Sequence, residues 1–275
     1  MSSLSLKYFS IGKGHPLALI AGPCVIEDRS LCFEVAGFMQ EYCQKNGISY
    51  VFKASYDKAN RSSIHSYRGP GLREGLQILS DIKEKFDVPV VTDVHHPEEA
   101  IEAGKVCDMI QIPAFLCRQT DLLLAAAKSG KAVVIKKGQF MAPWDMANVV
   151  EKVREGGNEQ IMLVDRGVSF GYNNLVSDMR AIPIMQEFGV PVCFDATHSV
   201  QLPGGLGEKS GGQRQFVSPL ARAAVAVGAN CLFIETHPDP ARAKSDAASQ
   251  VELKEMPALL DSILPIYSAV NASRS

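Results

Sequence analysis

Eight short apolar runs recur along the chain: LALIAG (17–22), SYVFKAS (49–55), VPVVTDV (88–94), MIQIPAF (109–115), AVVIKKG (132–138), QIMLVDRG (160–167), VPVCFDAT (190–197) and CLFIETH (231–237). Their apolar positions are continuous, not alternating, which predicts strands buried on both faces. Between them lie segments with helical spacing of apolar residues, such as LREGLQILSDIKEKF (72–86) and SDMRAIPIMQEFG (177–189). Strand and helix alternating eight times in 275 residues predict an α/β protein, a (β/α)8 TIM barrel. The expected layout is one domain over 1–275, with a short N-terminal extension and a flexible C-terminal tail, NASRS (271–275). An open doubly wound sheet would have fewer strands and a glycine-rich first turn, which the AGPC segment is not.

Barrel enzymes work at the carboxyl ends of their strands. The polar residues of the eight runs collect at that end, which core packing alone does not demand. They are Cys24 after the first run, Lys53, Lys58, Asn60 and Arg61 after the second, Asp93 and His95 after the third, and Gln111 and Arg118 around the fourth. Lys136 and Lys137 close the fifth, Arg166 the sixth, His198 the seventh, and Glu235 and His237 the eighth. Lys53, Lys58, Arg61, Arg118, Lys136, Lys137 and Arg166 would then share one rim. Such a local positive field suits a small molecule carrying several phosphate or carboxylate groups. Lys137 neighbours Lys136 on a strand, so it is also expected to point the other way.

Barrel closure makes the seventh, eighth and first strands neighbours. That brings Cys24, His198 and Glu235 together, with Asp246 following in the loop after the eighth run. A thiolate, an imidazole and two carboxylates form a mixed donor set suited to Zn2+, Fe2+, Mn2+ or Co2+. Spacing alone fits equally a buried structural cysteine and a histidine bonded in the core. The segment LPGGLGEKSGGQRQ (202–215) lacks the Lys-Ser/Thr ending of a P-loop and reads as a flexible lid.

Composition narrows the function classes. Charged residues make up 21% and the formal net charge is -2, which argues against nucleic-acid and membrane partners. Aromatic residues are only 7% and scattered, so no base-stacking surface is expected. The 7 cysteines form no C-x-x-C pair, the usage of a reducing compartment, and no apolar stretch at the N-terminus resembles a signal peptide. A cytoplasmic protein is expected.

The strings AGPCVIE, VFKASYDKANRSSIHSYRGPG, TDVHHP, IQIPAFLCRQTDLL, IKKGQF, APWDMANVV, DRGVSFGYNNLVSDMR, FDATHSVQLPGG and IETHPDP together resemble the 3-deoxy-D-manno-octulosonate 8-phosphate synthases. The similarity runs from about Leu17 to Gln250. KANRSSIHSYRG is the most specific string, because related heptulosonate 7-phosphate synthases have a K-P-R-T-S-type segment there. The resemblance implies condensation of phosphoenolpyruvate with arabinose 5-phosphate and water, in lipopolysaccharide inner-core sugar synthesis. The alternative is another phosphoenolpyruvate-dependent aldol synthase, of the heptulosonate 7-phosphate or sialic acid type. It further implies phosphoenolpyruvate contacts at Lys53, Lys58, Gln111, the Ala114 backbone, Lys136 and Arg166, and sugar contacts at Asn60, Arg61 and Ser62. Arg118 is implied to reach the sugar phosphate of a neighbouring subunit in a homotetramer. Metal-independent members carry Asn where this chain has Cys24, so Cys24, His198, Glu235 and Asp246 are implied as ligands of a divalent metal, with Lys136, His198, Asp246 and Cys24 as the catalytic set.

Overall fold

The structure is a computed structural model that describes residues 3–204 and 211–272. All eight runs form parallel strands: β1 (Ala18–Gly22), β2 (Ser49–Lys53), β3 (Val90–Asp93), β4 (Met109–Ile112), β5 (Ala132–Lys136), β6 (Ile161–Asp165), β7 (Val192–Asp195) and β8 (Cys231–His237). Each pairs with the next, and β8 pairs with β1 through Leu232↔Leu19 and Glu235↔Gly22, which closes the barrel. The principal helices are α1 (Arg29–Lys45), α2 (Leu72–Phe86), α3 (Pro97–Gly104), α4 (Thr120–Lys128), α5 (Met146–Glu155), α6 (Ala181–Gln186), α7 (Val217–Ala226) and α8 (Met256–Ala272).

The strands read as continuous apolar runs because both faces are covered. Ile20, Val51, Val91, Val134, Val164 and Phe233 fill the barrel interior. Their strand neighbours Leu19, Tyr50, Phe52, Val133 and Ile135 pack outward against the helices. The N-terminal extension is ordered: Leu4–Ser5 pairs antiparallel with Ser10–Ile11. Leu4 and Ile11 join the interior cluster beside Ala18, Met109 and Ala132, which begin their strands, so the hairpin plugs the N-terminal end.

Other expectations shift in detail. The helical pattern at 177–189 yields only α6, and Pro183 within that segment lacks an N–H for a helix ladder. Asn271 and Ala272, expected in the flexible tail, are the last residues of α8, while 273–275 lie outside the described residues. Leu202, which starts the expected lid, pairs with Gly211 inside it, and Gln201 just before it pairs with Gly212. Positions 205–210 lie outside the described residues.

Candidate active site

At the carboxyl end of the barrel two cavities adjoin. One, of about 370 Å3, is lined by Lys53, Lys58, Gln111, Ala114, Lys136 and Arg166. The other, of about 350 Å3, is lined by Asn60, Arg61, Ser62, Gln201, Lys244 and Asp246. They share Lys58, Asn60, Phe115, Arg166 and His198. The sequence-predicted phosphoenolpyruvate contacts thus line one cavity, and three of the four predicted sugar contacts, Asn60, Arg61 and Ser62, line the other.

The cations differ in how free they are. Lys53 Nζ donates to Cys24 O at 3.2 Å, Ser55 Oγ at 2.9 Å and Glu235 Oε1 at 3.0 Å. Its three donors are used, so it contributes charge and fixes Glu235. Lys136 Nζ sits 2.6 Å from Asp195 Oδ2, and burial lowers its pKa. Among the described residues Lys58 has only Glu235 Oε1 at ion-pair range, 4.0 Å. Burial works against its charge, but Cys24, Glu235 and Asp93 together raise its pKa, so it remains an ammonium. Arg166 Nη2 donates to two neutral oxygens, His198 O at 3.1 Å and Gln201 Oε1 at 2.8 Å. Its Nε and the Oε1 of Gln111 and of Gln139 are buried without hydrogen-bond partners among the described residues. Unpartnered polar atoms on a cavity wall are costly unless a ligand or water pairs them.

Two predicted rim cations stand elsewhere. Lys137 is fully buried and turned to the outside of the strand, 3.3 Å from Asp165 Oδ1 and donating to Gly167 O. Its neighbour Lys136 therefore takes the inward position alone, as strand alternation requires. Arg118 lines a separate hollow with Leu124, Phe140, Met141 and Lys152.

Beside the first cavity, single ligand atoms of Cys24, His198, Glu235 and Asp246 all lie within 4.8 Å of one another, which makes them a possible metal-binding cluster. Cys24 Sγ is 3.2 Å from Asp246 Oδ2, and His198 Nε2 is 3.4 Å from Glu235 Oε2 and 3.6 Å from Asp246 Oδ2. The chemistry of this donor set fits a cation. His198 Nδ1 lies 2.7 Å from Asp195 Oδ2, an acceptor-only group, so Nδ1 carries the proton. In the neutral form that binds metals the ring turns an Nε2 lone pair toward two carboxylates, an arrangement a divalent ion relieves. Glu235 Oε2 is buried without a hydrogen-bond partner among the described residues. Burial, with Glu235 next, pushes the Cys24 thiol well above its ordinary pKa; a metal would reverse that. Burial also opposes charge on Glu235, yet His198, Lys53 and Lys58 hold its carboxyl at about 2.

Asp195 escaped the sequence reading, which took His198 as the functional residue of its strand. It is fully buried, ends β7 and holds Lys136 and His198 at once. Burial disfavours its charge, but His198 and Lys136 outweigh burial and keep it ionised. The available signal was a carboxylate closing the apolar run VPVCF, three residues before His198. His95 and His237 each face carboxylates: His95 lies 3.3 Å from both Asp93 and Glu99, and His237 lies 3.5 Å from Glu27.

Comparison with known proteins adds a family to this geometry. Residues 3–264 match the DAHP synthetase I family. The chain is 60% identical over 270 residues to a 2-dehydro-3-deoxyphosphooctonate aldolase of Protochlamydia amoebophila, covering 98% of both chains. It is 58% identical over 252 residues to the protein of that name from Fusobacterium nucleatum, covering 92% of this chain and 91% of the relative. To the one from Desulfotalea psychrophila it is 55% identical over 260 residues, covering 94% and 93%.

Proposed function

The chain belongs to the DAHP synthetase I family, and from that membership and its paired cavities we infer that it condenses phosphoenolpyruvate with arabinose 5-phosphate and water, giving 3-deoxy-D-manno-octulosonate 8-phosphate and inorganic phosphate. The observation that carries the reading is the pair of adjoining cavities at the barrel's carboxyl end. Lys58, Lys136 and Arg166 line the first, and the KANRSS segment supplies Asn60, Arg61 and Ser62 to the second. One cavity suits a small phosphorylated carboxylate, and the other a sugar phosphate whose aldehyde meets it at the shared wall. The product's use in building lipopolysaccharide inner core follows from the reaction.

Both substrates are anions, and their repulsion is the first barrier to bringing them together. Lys58 and Arg166 on the wall common to both cavities offset it, so much of the rate gain comes from proximity. The unpartnered Arg166 Nε gives an anionic oxygen of the first substrate a fixed position. Carbon 3 of the enol then attacks the aldehyde, water adds at carbon 2, and phosphate leaves with C–O cleavage. Lys136, beside Asp195 and 3.4 Å from His198 Nδ1, is placed to stabilise negative charge developing at the reacting end. A divalent ion held by Cys24, His198, Glu235 and Asp246, one of Zn2+, Fe2+, Mn2+ or Co2+, would supply Lewis acidity toward a water or the aldehyde oxygen. No lysine forms a Schiff base in this scheme, and borohydride trapping of a covalent lysine adduct would contradict it.

The assembly proposed is a homotetramer in which Arg118 reaches a neighbour's sugar phosphate. In support, Arg118 shares its hollow with Phe140, and Phe140, Trp144 and Phe115 are each more than half exposed. A cytoplasmic location is supported by seven buried cysteines, all unpaired. Among the described residues no helix is long and apolar enough to cross a membrane.

The test is an aldehyde panel with phosphoenolpyruvate: arabinose 5-phosphate, erythrose 4-phosphate and N-acetylmannosamine. Keto-sugar and phosphate should form in equal amounts with the five-carbon phosphate and far more slowly with the others. Preference for erythrose 4-phosphate would make the chain a heptulosonate 7-phosphate synthase.

A further inference from the structure

Asp246 sits on an irregular segment held both by its own turn, with Ser249 N and Gln250 N donating to Asp246 O, and by contacts from outside it. It is a non-glycine residue with φ +46°, a left-handed conformation that L residues rarely adopt. Side chains from other parts of the barrel grip the backbone around it. Two of them hold Lys244, two residues earlier: Glu27 Oε1 accepts from Lys244 N at 2.8 Å, and Arg61 Nη2 donates to Lys244 O at 3.1 Å.

Of the two, Glu27 is the more fixed. Its side chain is 8% exposed, although both bonds to Lys244 lie at the surface. A carboxylate accepting a backbone N–H makes a charge-assisted bond, stronger than one between neutral groups. His237 lies beside Glu27 at ion-pair range, without a hydrogen bond to it. His237 Nδ1 accepts from Asp239 N at 3.0 Å, which places the ring proton on Nε2, 3.5 Å from Glu27 Oε1. Glu27 follows the Cys24 segment after β1, and His237 is the last residue of β8. The bond to Lys244 therefore ties the Asp246 segment to the strand ends that carry Cys24 and Glu235.

We propose that Glu27 is a positioning residue for the Cys24, His198, Glu235 and Asp246 cluster: through Lys244 N–H it holds Asp246 at ligating distance and so sets the affinity for a divalent cation. This rests on the reading of that cluster as a metal site. Partners one shell beyond metal ligands typically change affinity by about ten- to a hundredfold when removed.

The experiment titrates Co2+ into the metal-free, full-length protein, with the thiolate-to-cobalt absorbance reporting ligation by Cys24. Glu27→Ala should bind Co2+ about ten- to a hundredfold more weakly than the unaltered chain. Glu27→Gln keeps an oxygen acceptor for Lys244 N–H and should stay close to it. Lys244→Pro deletes the N–H itself, and Ala243, at φ −59° and ψ 135°, already has the backbone a residue before proline needs. Lys244→Pro should match Glu27→Ala, whereas Lys244→Ala should bind as the unaltered chain does. If Glu27→Ala does not fold, the two Lys244 variants decide the matter. Affinity in Glu27→Ala within about twofold of the unaltered chain, equal weakening in Glu27→Gln and Glu27→Ala, or equal affinity in the two Lys244 variants would overturn the proposal. Absence of the thiolate band in the unaltered chain would instead reject the metal reading, and the proposal with it.

Discussion

Asp195 shows how one buried carboxylate organises two functional groups. It fixes the tautomer of His198 and the position of Lys136 through a single oxygen, Oδ2. Asp195→Asn keeps the shape and removes the charge. The variant should lose about ten- to a hundredfold in metal affinity and slow turnover by at least a similar factor, measured by Co2+ titration and steady-state kinetics. Unchanged affinity would mean that the histidine is oriented by something else. The sequence exposed the residue types at strand ends but not the partners they meet. Cys24, His198, Glu235 and Asp246 were legible because barrel closure makes the strands carrying three of them neighbours. The roles of Asp195 and Glu27 were not, because each depends on contacts between segments far apart in the chain. Lys53 is an intermediate case: its place in the cavity was readable, but not the commitment of all three donors to Cys24, Ser55 and Glu235.

The barrel strands tolerate little change where their backbones come closest. Gly22 ends β1, and a Cβ there would stand 2.0 Å from the Lys53 carbonyl oxygen at the end of β2. Gly22→Ala must push apart the strand ends that carry Cys24 and Lys53. It should cost at least about 3 kcal/mol, the upper range for overpacking, and lower the thermal midpoint accordingly. Gly47, at φ +67° with nothing within 4 Å of a built Cβ, serves as the control. Gly47→Ala should cost only about 1–2 kcal/mol from backbone strain. All eight strands were visible in the sequence because a strand buried on both faces leaves an unbroken apolar run. The N-terminal hairpin was not, since two-residue strands carry no period. The same limit explains α6, where apolar spacing extends well beyond the six residues that form the helix.

At the scale of the molecule, the site concentrates charge inside a protein whose formal net charge is only -2. That concentration should appear in the acid stability of the metal-free protein. Glu235 has a folded pKa of about 2 against an ordinary 4.5, so the unfolded chain binds its proton first as pH falls. Its contribution is fully present above pH 4.5 and is lost as pH falls toward 2. Denaturant midpoints followed over that window should therefore decline in the unaltered chain. Glu235→Gln should be less stable at neutral pH, because it leaves Lys53 without its buried partner, and should decline less steeply. Parallel slopes would show that Glu235 is not held ionised by its neighbours.

The most direct test of the account joins chemistry and site in one vessel. Purified protein is stripped with a chelator and mixed with phosphoenolpyruvate and arabinose 5-phosphate, and phosphate and keto-sugar are followed before and after each divalent ion is restored. The account predicts no turnover without metal, and both products in equal amounts once metal returns. Full turnover after verified metal removal would contradict the role given to Cys24, His198, Glu235 and Asp246. No turnover with any ion would contradict the reaction itself.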